Sequence, residues 1–362
     1  MLQLRRLNFT ASVSSEVDAK EWDQKLPQST ASTTYQISYW ARVYESFDSR
    51  PIFISVRNST GEIIGQLLAL IHNELLWSDS NLFTRFIGSK LNLRQTLTWF
   101  YGPIIHDSNH ADEIFSKILL AVDEVSIKNK VTIARGSSHP YSRMFSDKVA
   151  QKLGYKLQPW STYITDLHRS SEELHNSLDK KTRYDIRKSE KNQLEFVAVN
   201  NRSSLDEFVE LKAKEREKVG QRVDKNPDFY DDRWEYLHKN GYEKLFLAKY
   251  KGKTLAGILN IIFNGNVVQH GVSISSHREL LGGPFLTWNT IQWCIDNKYS
   301  TYDMGGINPN PENEKEKSMN FYKSKWGGKK SDYIRYTKIY DITKWKISSG
   351  LKNPKKLKKI LK

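Results

Sequence analysis

The stretch Leu245-Phe246-Leu247-Ala248-Lys249-Tyr250, Lys251-Gly252, Leu255-Ala256-Gly257-Ile258-Leu259-Asn260-Ile261-Ile262 reads as two short apolar runs joined by a glycine turn. That pattern predicts a β-hairpin. It has a counterpart in the first half of the chain. Pro51-Ile52-Phe53-Ile54-Ser55-Val56 is followed by a turn at Asn58 to Gly61 and then by Ile63-Ile64-Gly65-Gln66-Leu67-Leu68-Ala69-Leu70-Ile71. In both copies the second run carries a glycine near its start, Gly257 or Gly65, which suggests a bulge or a close approach of backbone. The copies begin half a chain apart and predict a duplicated domain, with two unrelated hairpins as the plainer alternative.

The flanks agree with duplication. In the first half, helical periodicity covers Tyr35 to Phe47, Ala111 to Lys128 and Ser142 to Leu153, the last ending at Gly154. Strands are expected at Leu97 to Tyr101 and Val131 to Ala134. In the second half, helices are expected at Leu205 to Val219, Pro227 to His238, Phe285 to Asn297 and Ser318 to Lys325. Strands are expected at Val267 to Ile274 after the Asn264-Gly265-Asn266 turn, at Ser300 to Met304, and at Tyr333 to Tyr340. Helix, hairpin, strand, helix, strand is an α/β (α+β) order with a mixed sheet. A hairpin makes neighbouring strands antiparallel, which excludes a doubly wound parallel sheet and suits the N-acyltransferase (GNAT) sheet used twice. The expected layout is two tandem GNAT-like domains, 1–165 and 166–343, with mixed sheets flanked by helices, then a basic tail at 344–362.

Composition narrows the class. The chain has 362 residues, 38% hydrophobic and 12% aromatic, enough for two cores. It contains no apolar run of about 18 residues, so no membrane-spanning helix is expected. Met1-Leu2-Gln3-Leu4-Arg5-Arg6 lacks the features of a signal peptide. The single cysteine, Cys294, sits in an apolar helical pattern and reads as a buried hydrophobe. A cytoplasmic location fits these features. The net charge is +15, but the segment Lys344 to Lys362 holds eight lysines and no acid, about half of the excess. Charge of this kind draws anionic lipid, nucleic acid or phosphorylated substrates. Lysine clusters interleaved with Leu357, Ile360 and Leu361 fit peripheral contact with an anionic membrane, the phosphates of an RNA, or a solvated tail. Nine histidines are present, none at metal-ligand spacing, and no metal is expected. Ser137-Ser138-His139 lacks the setting of a nucleophile elbow.

The most specific stretch is Tyr302-Asp303-Met304-Gly305-Gly306-Ile307, a polar loop to Lys317, and then Phe321-Tyr322-Lys323-Ser324-Lys325-Trp326-Gly327-Gly328. A strand ending in Asp-x-Gly-Gly brings bare backbone close to a neighbour, and Gly327-Gly328 stops a helix. A turn and a helix cap would account for the same residues. The loop, with Pro309 and Pro311, has the composition of a mobile segment. Lys180, Arg183, Arg187 and Lys191 fall near one face of an expected helix. That stripe could grip a diphosphate or be a solvated face, since Asp179, Asp185 and Glu190 are interspersed.

These motifs resemble the FemABX family of peptidyltransferases. That family carries a strand ending in Tyr-Asp-Phe-Gly-Gly, a variable loop, then Phe-Lys-x-x-Phe-Gly-Gly. Here Met304 stands for the first motif's Phe, Tyr322-Lys323 for the Phe-Lys pair, and Trp326 for the later Phe. Leu178 to Lys188 resembles the basic segment that opens the family's second domain, and Gly282-Gly283-Pro284-Phe285-Leu286-Thr287-Trp288 the start of its long helix. The chain looks like the type without a long helical arm, because Leu205 to Trp234 leaves no room for one. The resemblance implies two GNAT-like domains that move an aminoacyl group from aminoacyl-tRNA to an amine of a nucleotide- or lipid-linked peptidoglycan or related envelope precursor, with aminoacyl-tRNA as co-substrate and no other cofactor.

The resemblance also assigns roles. It links Lys323 to the reaction and favours phosphate binding by Lys180, Arg183 and Arg187. Gly305, Gly306, Tyr322 and Trp326 are expected at the substrate. On physical grounds a half-buried lysine beside the reacting carbonyl would stabilise the oxyanion, and a carboxylate would take the amine's proton. Asp303 is a candidate for the second role, with a turn carboxylate bonded to glycine N–H groups as its alternative. An acyl-CoA N-acyltransferase acting on a sugar or lipid amine is the nearest rival. Its pyrophosphate loop would fall at Arg278-Glu279-Leu280-Leu281-Gly282-Gly283, where the spacing is off. A non-catalytic module for anionic surfaces is the other rival.

Overall fold

The computed structural model describes residues 9–77, 86, 88, 90–141, 144–218, 226–275 and 277–352. Its strands, in chain order, are β1 (Thr10–Ser14), β2 (Arg50–Arg57), β3 (Ile63–Asn73), β4 (Gln95–Thr98), β5 (Ile104–Ile105), β6 (Ile133–Ser137), β7 (Lys156–Asp166), β8 (Glu195–Ala198), β9 (Glu243–Tyr250), β10 (Lys253–Phe263), β11 (Asn266–Ile274), β12 (Thr301–Asp303) and β13 (Lys329–Ile339). The helices are α1 (Ala19–Lys25), α2 (Ser38–Glu45), α3 (Glu74–Trp77), α4 (Ala111–Lys128), α5 (Asp147–Lys152), α6 (Ser171–Ser177), α7 (Lys180–Glu190), α8 (Arg202–Glu217), α9 (Pro227–Asp232), α10 (Gly282–Asp296), α11 (Glu314–Ser324) and α12 (Ile342–Lys352).

The chain divides into two compact units, one of residues 1–159 with 333–362 and one of residues 160–332. Both expected hairpins form. Ile54 lies opposite Leu67 in the first, and Leu247 opposite Gly257 in the second. The turns explain the sequence signals. Lys251 and Gly252, and likewise Asn264 and Gly265, have positive φ at both central positions, the backbone that matches the twist of a two-residue hairpin.

In the first unit the strand order is β1-β2-β3-β4-β6-β13, with β4 and β6 parallel and the other neighbours antiparallel. Helix α4 packs its stripe of Ala111, Ile114, Phe115, Ile118, Val122 and Val125 on this sheet. The spacing is that of one helix face, with Asp112 and Glu113 in the first turn and Lys128 in the last complementing the helix dipole. In the second unit the order is β7-β12-β11-β10-β9-β8, with β11 and β12 parallel. Leu245, Leu247 and Leu259 face α8, while Phe246, Ala248, Ala256 and Ile258 pack with Phe285 and Leu286 of α10. Covering on both faces is why this hairpin reads as continuous apolar runs rather than an alternation.

Where the chain divides differs from the sequence expectation. The strand expected to close the second domain is β13, yet its residues Arg335 to Ile339 pair with Ser137 to Ile133 of β6 in the first unit. The second unit is closed instead by β7, whose Ile164 to Asp166 pair with β12. Period-2 patterning identifies a strand but carries no information about the edge it joins. The start of the expected tail is also folded. Asp341 accepts from Lys344 N at 2.9 Å to begin α12, Arg94 donates to Ser348 Oγ (3.3 Å) and Ser349 Oγ (3.2 Å), and the Arg94 guanidinium lies 4.0 Å from the Trp345 ring centroid. The lysine-rich residues 353–362, on which the membrane and RNA readings rest, lie outside the described residues.

The strand glycines mark close approaches. A Cβ on Gly257 would sit 2.4 Å from the buried ring of Phe208 on α8, whereas one on Gly271 of β11 would meet nothing nearer than 3.8 Å. Gly257→Ala is therefore expected to cost about 1–3 kcal/mol through overpacking, and Gly271→Ala much less. Chemical denaturation of the two variants checks this; equal costs would refute the close-packing account.

Candidate active site at the end of β12

Strand β12 is three residues long and lies between β7 and β11, with Asp303 opposite Ile164 on one side and Val268 on the other. The Asp303 side chain is fully buried. Its Oδ1 accepts from the Thr162 hydroxyl of β7 and from Gly305 N at 2.7 Å. Its Oδ2 has no hydrogen-bond partner among the described residues. Burial pushes the carboxyl up to about 6, against the lowering influence of the Thr162 and Gly305 donors and the Lys323 charge.

Beyond Asp303 the backbone turns back through Gly305, at φ +77°. A Cβ there would be 2.9 Å from the Gln269 carbonyl oxygen and 3.5 Å from Lys323 Nζ. Only glycine meets both the left-handed backbone and the space. The ammonium of Lys323 donates to Gly305 O at 2.8 Å and to Gly306 O at 3.2 Å. Burial draws its pKa down to about 8, and the nearby Asp303 carboxylate opposes that shift.

Helix α11 carries Lys323 without burying a single residue. Asn313 caps it, accepting from Glu316 N at 3.0 Å. Glu316, Asn320 and Lys323 are spaced along one face, and each is tied to the segment after β12. Glu316 accepts from Asn308 Nδ2 (3.1 Å) and Glu312 N (2.9 Å), and Asn320 donates to Asn308 O at 2.7 Å. The loop that the sequence marks as mobile is thus pinned to this helix by polar side chains.

The other expected residues fall into three groups. Tyr322 is half-buried, its hydroxyl 3.0 Å from Thr287 Oγ1 on α10, and burial pushes its phenol up to about 12. Trp326, expected at the substrate, is a core residue packed with Leu174, Trp288 and Tyr302, and this corrects the sequence reading. An aromatic motif position is equally satisfied by packing and by ligand contact, so the spacing could not separate them. Lys180, Arg183 and Arg187 do share one side of α7, and the helix buries Thr182, Ile186 and Ser189 on another. Arg183 is not free to act as a simple clamp: its Nη1 donates to Asn176 O (2.7 Å) and Leu178 O (2.8 Å), the carbonyls at the end of α6. Lys180 and Arg187 are exposed. Gly282 and Gly283 at the start of α10 pack against Leu255 and Ile274.

Several positions that hold the candidate site residues escaped the sequence reading. Thr162 holds Asp303, Thr287 holds Tyr322, and Gln269 accepts from the Tyr302 hydroxyl at 3.0 Å. Each lies at least 33 residues from its partner, so no local pattern could have paired them.

Comparison with known proteins identifies the fold. The profile of the acetyltransferase (GNAT) domain matches residues 176–323, a span that ends on Lys323. The crystal structure of FemX superposes with a TM-score of 0.68 at 15% identity, covering 93% of this chain and 99% of that one. The chain has a FemX-like GNAT fold. Two further structures share it more distantly. A tandem GNAT protein from the clavulanic acid biosynthesis pathway gives a TM-score of 0.56 at 12% identity, covering 92% of this chain and 98% of its own. The L-PGS of Bacillus licheniformis gives 0.54 at 13%, covering 92% and 96%. No curated protein matches the chain by sequence. The FemX-like fold is an acyltransferase fold, and among the described residues no helix is long and apolar enough to cross a membrane.

Within this FemX-like fold, Thr162 stabilises the ionised form of Asp303 by donating to it. Thr162→Val removes that donor and is expected to move the Asp303 titration upward from about 6. Carboxyl carbon NMR of labelled protein reads the midpoint directly. An unchanged midpoint would show that the hydroxyl does not hold the charge.

Proposed function

We propose that the chain transfers an aminoacyl group from aminoacyl-tRNA to an amine of a peptidoglycan or related cell-envelope precursor, at the cytoplasmic face of the membrane. The observation that carries this reading is the Lys323 ammonium, held by the Gly305 and Gly306 carbonyls beside the buried Asp303 carboxylate. Two likenesses support it: the motif resemblance to the FemABX family, and the FemX-like fold over nearly the whole chain.

The roles follow from the chemistry. Attack of an amine on an aminoacyl ester forms the new C–N bond and places negative charge on the carbonyl oxygen. Lys323 has three N–H donors, two of them directed at carbonyls, and the third is available for that oxygen. Asp303 Oδ2 accepts the proton lost by the amine and returns it to the ester oxygen of the tRNA, which leaves as the ribose hydroxyl when its C–O bond breaks. Tyr322, Gly305 and Gly306 shape the wall beside these groups, and the exposed Lys180 and Arg187, with Arg183 anchored between them, face the acceptor's diphosphate. A second reading, acyl-CoA as donor to a sugar or lipid amine, is favoured by the acetyltransferase character of the matched domain.

Incubating the purified chain with charged tRNA and, separately, with acyl-CoA tests the donor. Transfer from charged tRNA alone is expected, and transfer from acyl-CoA alone would replace the first reading with the second. Lys323→Met is expected to lower turnover roughly a hundred- to a thousandfold, the usual worth of one oxyanion donor, with little change in melting temperature. Full activity would remove Lys323 from the chemistry. The pH profile provides a separate check. Asp303 must be ionised to accept a proton, so activity falls as pH drops through about 6. Lys323 must be protonated to donate, so activity falls as pH rises through about 8. The expected profile is a bell between these limits, and a rate that keeps climbing to pH 10 would contradict the lysine's role.

A further inference from the structure

Helix α12 is attached to the first unit through polar contacts. Arg94 is buried, with its Nε on Glu74 Oε2 at 2.8 Å. Its Nη1 donates to Ser348 Oγ and Ser349 Oγ. The indole of Trp345 stacks with the Arg94 and Arg135 guanidinium groups, 4.0 and 5.3 Å from its ring centroid. At about 100° per residue, Trp345, Ser348 and Ser349 fall on one arc of the helix. Ile342, Thr343, Lys346 and Ile347 fall on the opposite arc. All four are exposed, Ile342 to 54% and Ile347 to 40%.

A helix resting on a protein surface turns its apolar residues inward and its polar ones to water. Helix α12 inverts this, with serines and a guanidinium stack inward and isoleucines outward. Apolar surface left in water is unfavourable until another apolar phase covers it. Scattered surface isoleucines are ordinary, but these two share an arc with a lysine. Leu91, in the turn that leads to Arg94, is also 59% exposed. Charge selects the covering partner. Lys346 lies between the isoleucines on the outward arc, and the half-buried Lys344 flanks it. The sequence after the helix, residues 353–362, adds five lysines and no acid. A second copy of this chain would bring like charges together. Isoleucine at the depth of the acyl chains, with lysine at the phosphates, fits the boundary of an anionic bilayer.

We propose that the outward face of α12 is a docking surface for an anionic lipid membrane, with Ile342 and Ile347 at the acyl boundary and Lys346 among the headgroup phosphates. The clamp of Arg94 on Trp345, Ser348 and Ser349 fixes which face the helix presents. The surface belongs to the first unit and does not depend on the acyl-transfer reading, because no residue at the end of β12 takes part in it.

Sedimentation of the full chain with vesicles of phosphatidylcholine and phosphatidylglycerol, against vesicles of phosphatidylcholine alone, tests the proposal. Binding to the anionic vesicles is expected, about tenfold or more tighter than to the neutral ones. It is expected to persist in part in salt that screens the lysines. The double variant Ile342→Ser, Ile347→Ser keeps every lysine and is expected to weaken binding about fivefold or more. Both positions are exposed, so its melting temperature is expected to match the wild type. Lys346→Glu is expected to weaken binding to anionic vesicles about tenfold, and it carries the test should the double variant fail to fold. Lys323→Met is expected to bind vesicles as the wild type does, so loss of transfer and loss of docking are read separately. Three results would each overturn the proposal: no binding to anionic vesicles, equal binding to both vesicle types, or wild-type binding by the folded double variant or by Lys346→Glu.

Discussion

Burial of the Asp303 carboxylate is the constraint around which the second unit's site is built. A charge removed from water is costly unless it is hydrogen-bonded or paired. The protein satisfies one oxygen with Thr162 from β7 and Gly305 from the following turn. It leaves the other without a partner among the described residues and sets the Lys323 charge nearby. The two groups moderate one another. The ammonium keeps the carboxyl from rising further than about 6, and the carboxylate keeps the lysine from falling further than about 8. Near neutral pH each is therefore charged yet close enough to its titration to exchange a proton, the property required of acid–base groups.

The delivery of Lys323 has its own logic. A helix with no fully buried residue gains little from the hydrophobic effect, and α11, which packs Tyr322 against the core, is also fastened by a polar stripe to the loop that precedes it. Such fastening is directional, so it fixes the rotation of the helix and hence the lysine's position. It is also weak enough to exchange partners when a ligand competes for the same carbonyls, since a single hydrogen bond contributes only about 1 kcal/mol net.

The two units use one sheet plan for different ends. In each, an antiparallel hairpin leads to a strand paired in parallel with the next, and an antiparallel strand closes the series. In the second unit the end of the parallel strand β12 bears the carboxylate and the glycine turn. In the first, β6 reaches the same topological position with Arg135, Gly136 and Ser137. The backbone order is thus the same in both units, while the side chains at equivalent strands differ.

The sequence by itself determined the local elements and the order in which they come. Helix α4 spans the residues its periodicity indicated, α7 does so within one residue, and the paired positive-φ turns fall where glycine follows lysine or asparagine. It also marked Lys323 and Asp303, because their motif spacing is local. Only the tertiary structure decided which strand closes each unit, that Trp326 is core, that Arg183 caps α6, and that Thr162 holds Asp303. It alone set Trp345 and Ser348 of α12 against Arg94. The physical reason is common to all of these. Backbone geometry and side-chain alternation repeat within a few residues and are written into neighbouring positions, whereas a hydrogen bond between Thr162 and Asp303 spans 141 residues and exists only once the sheet has set their strands side by side.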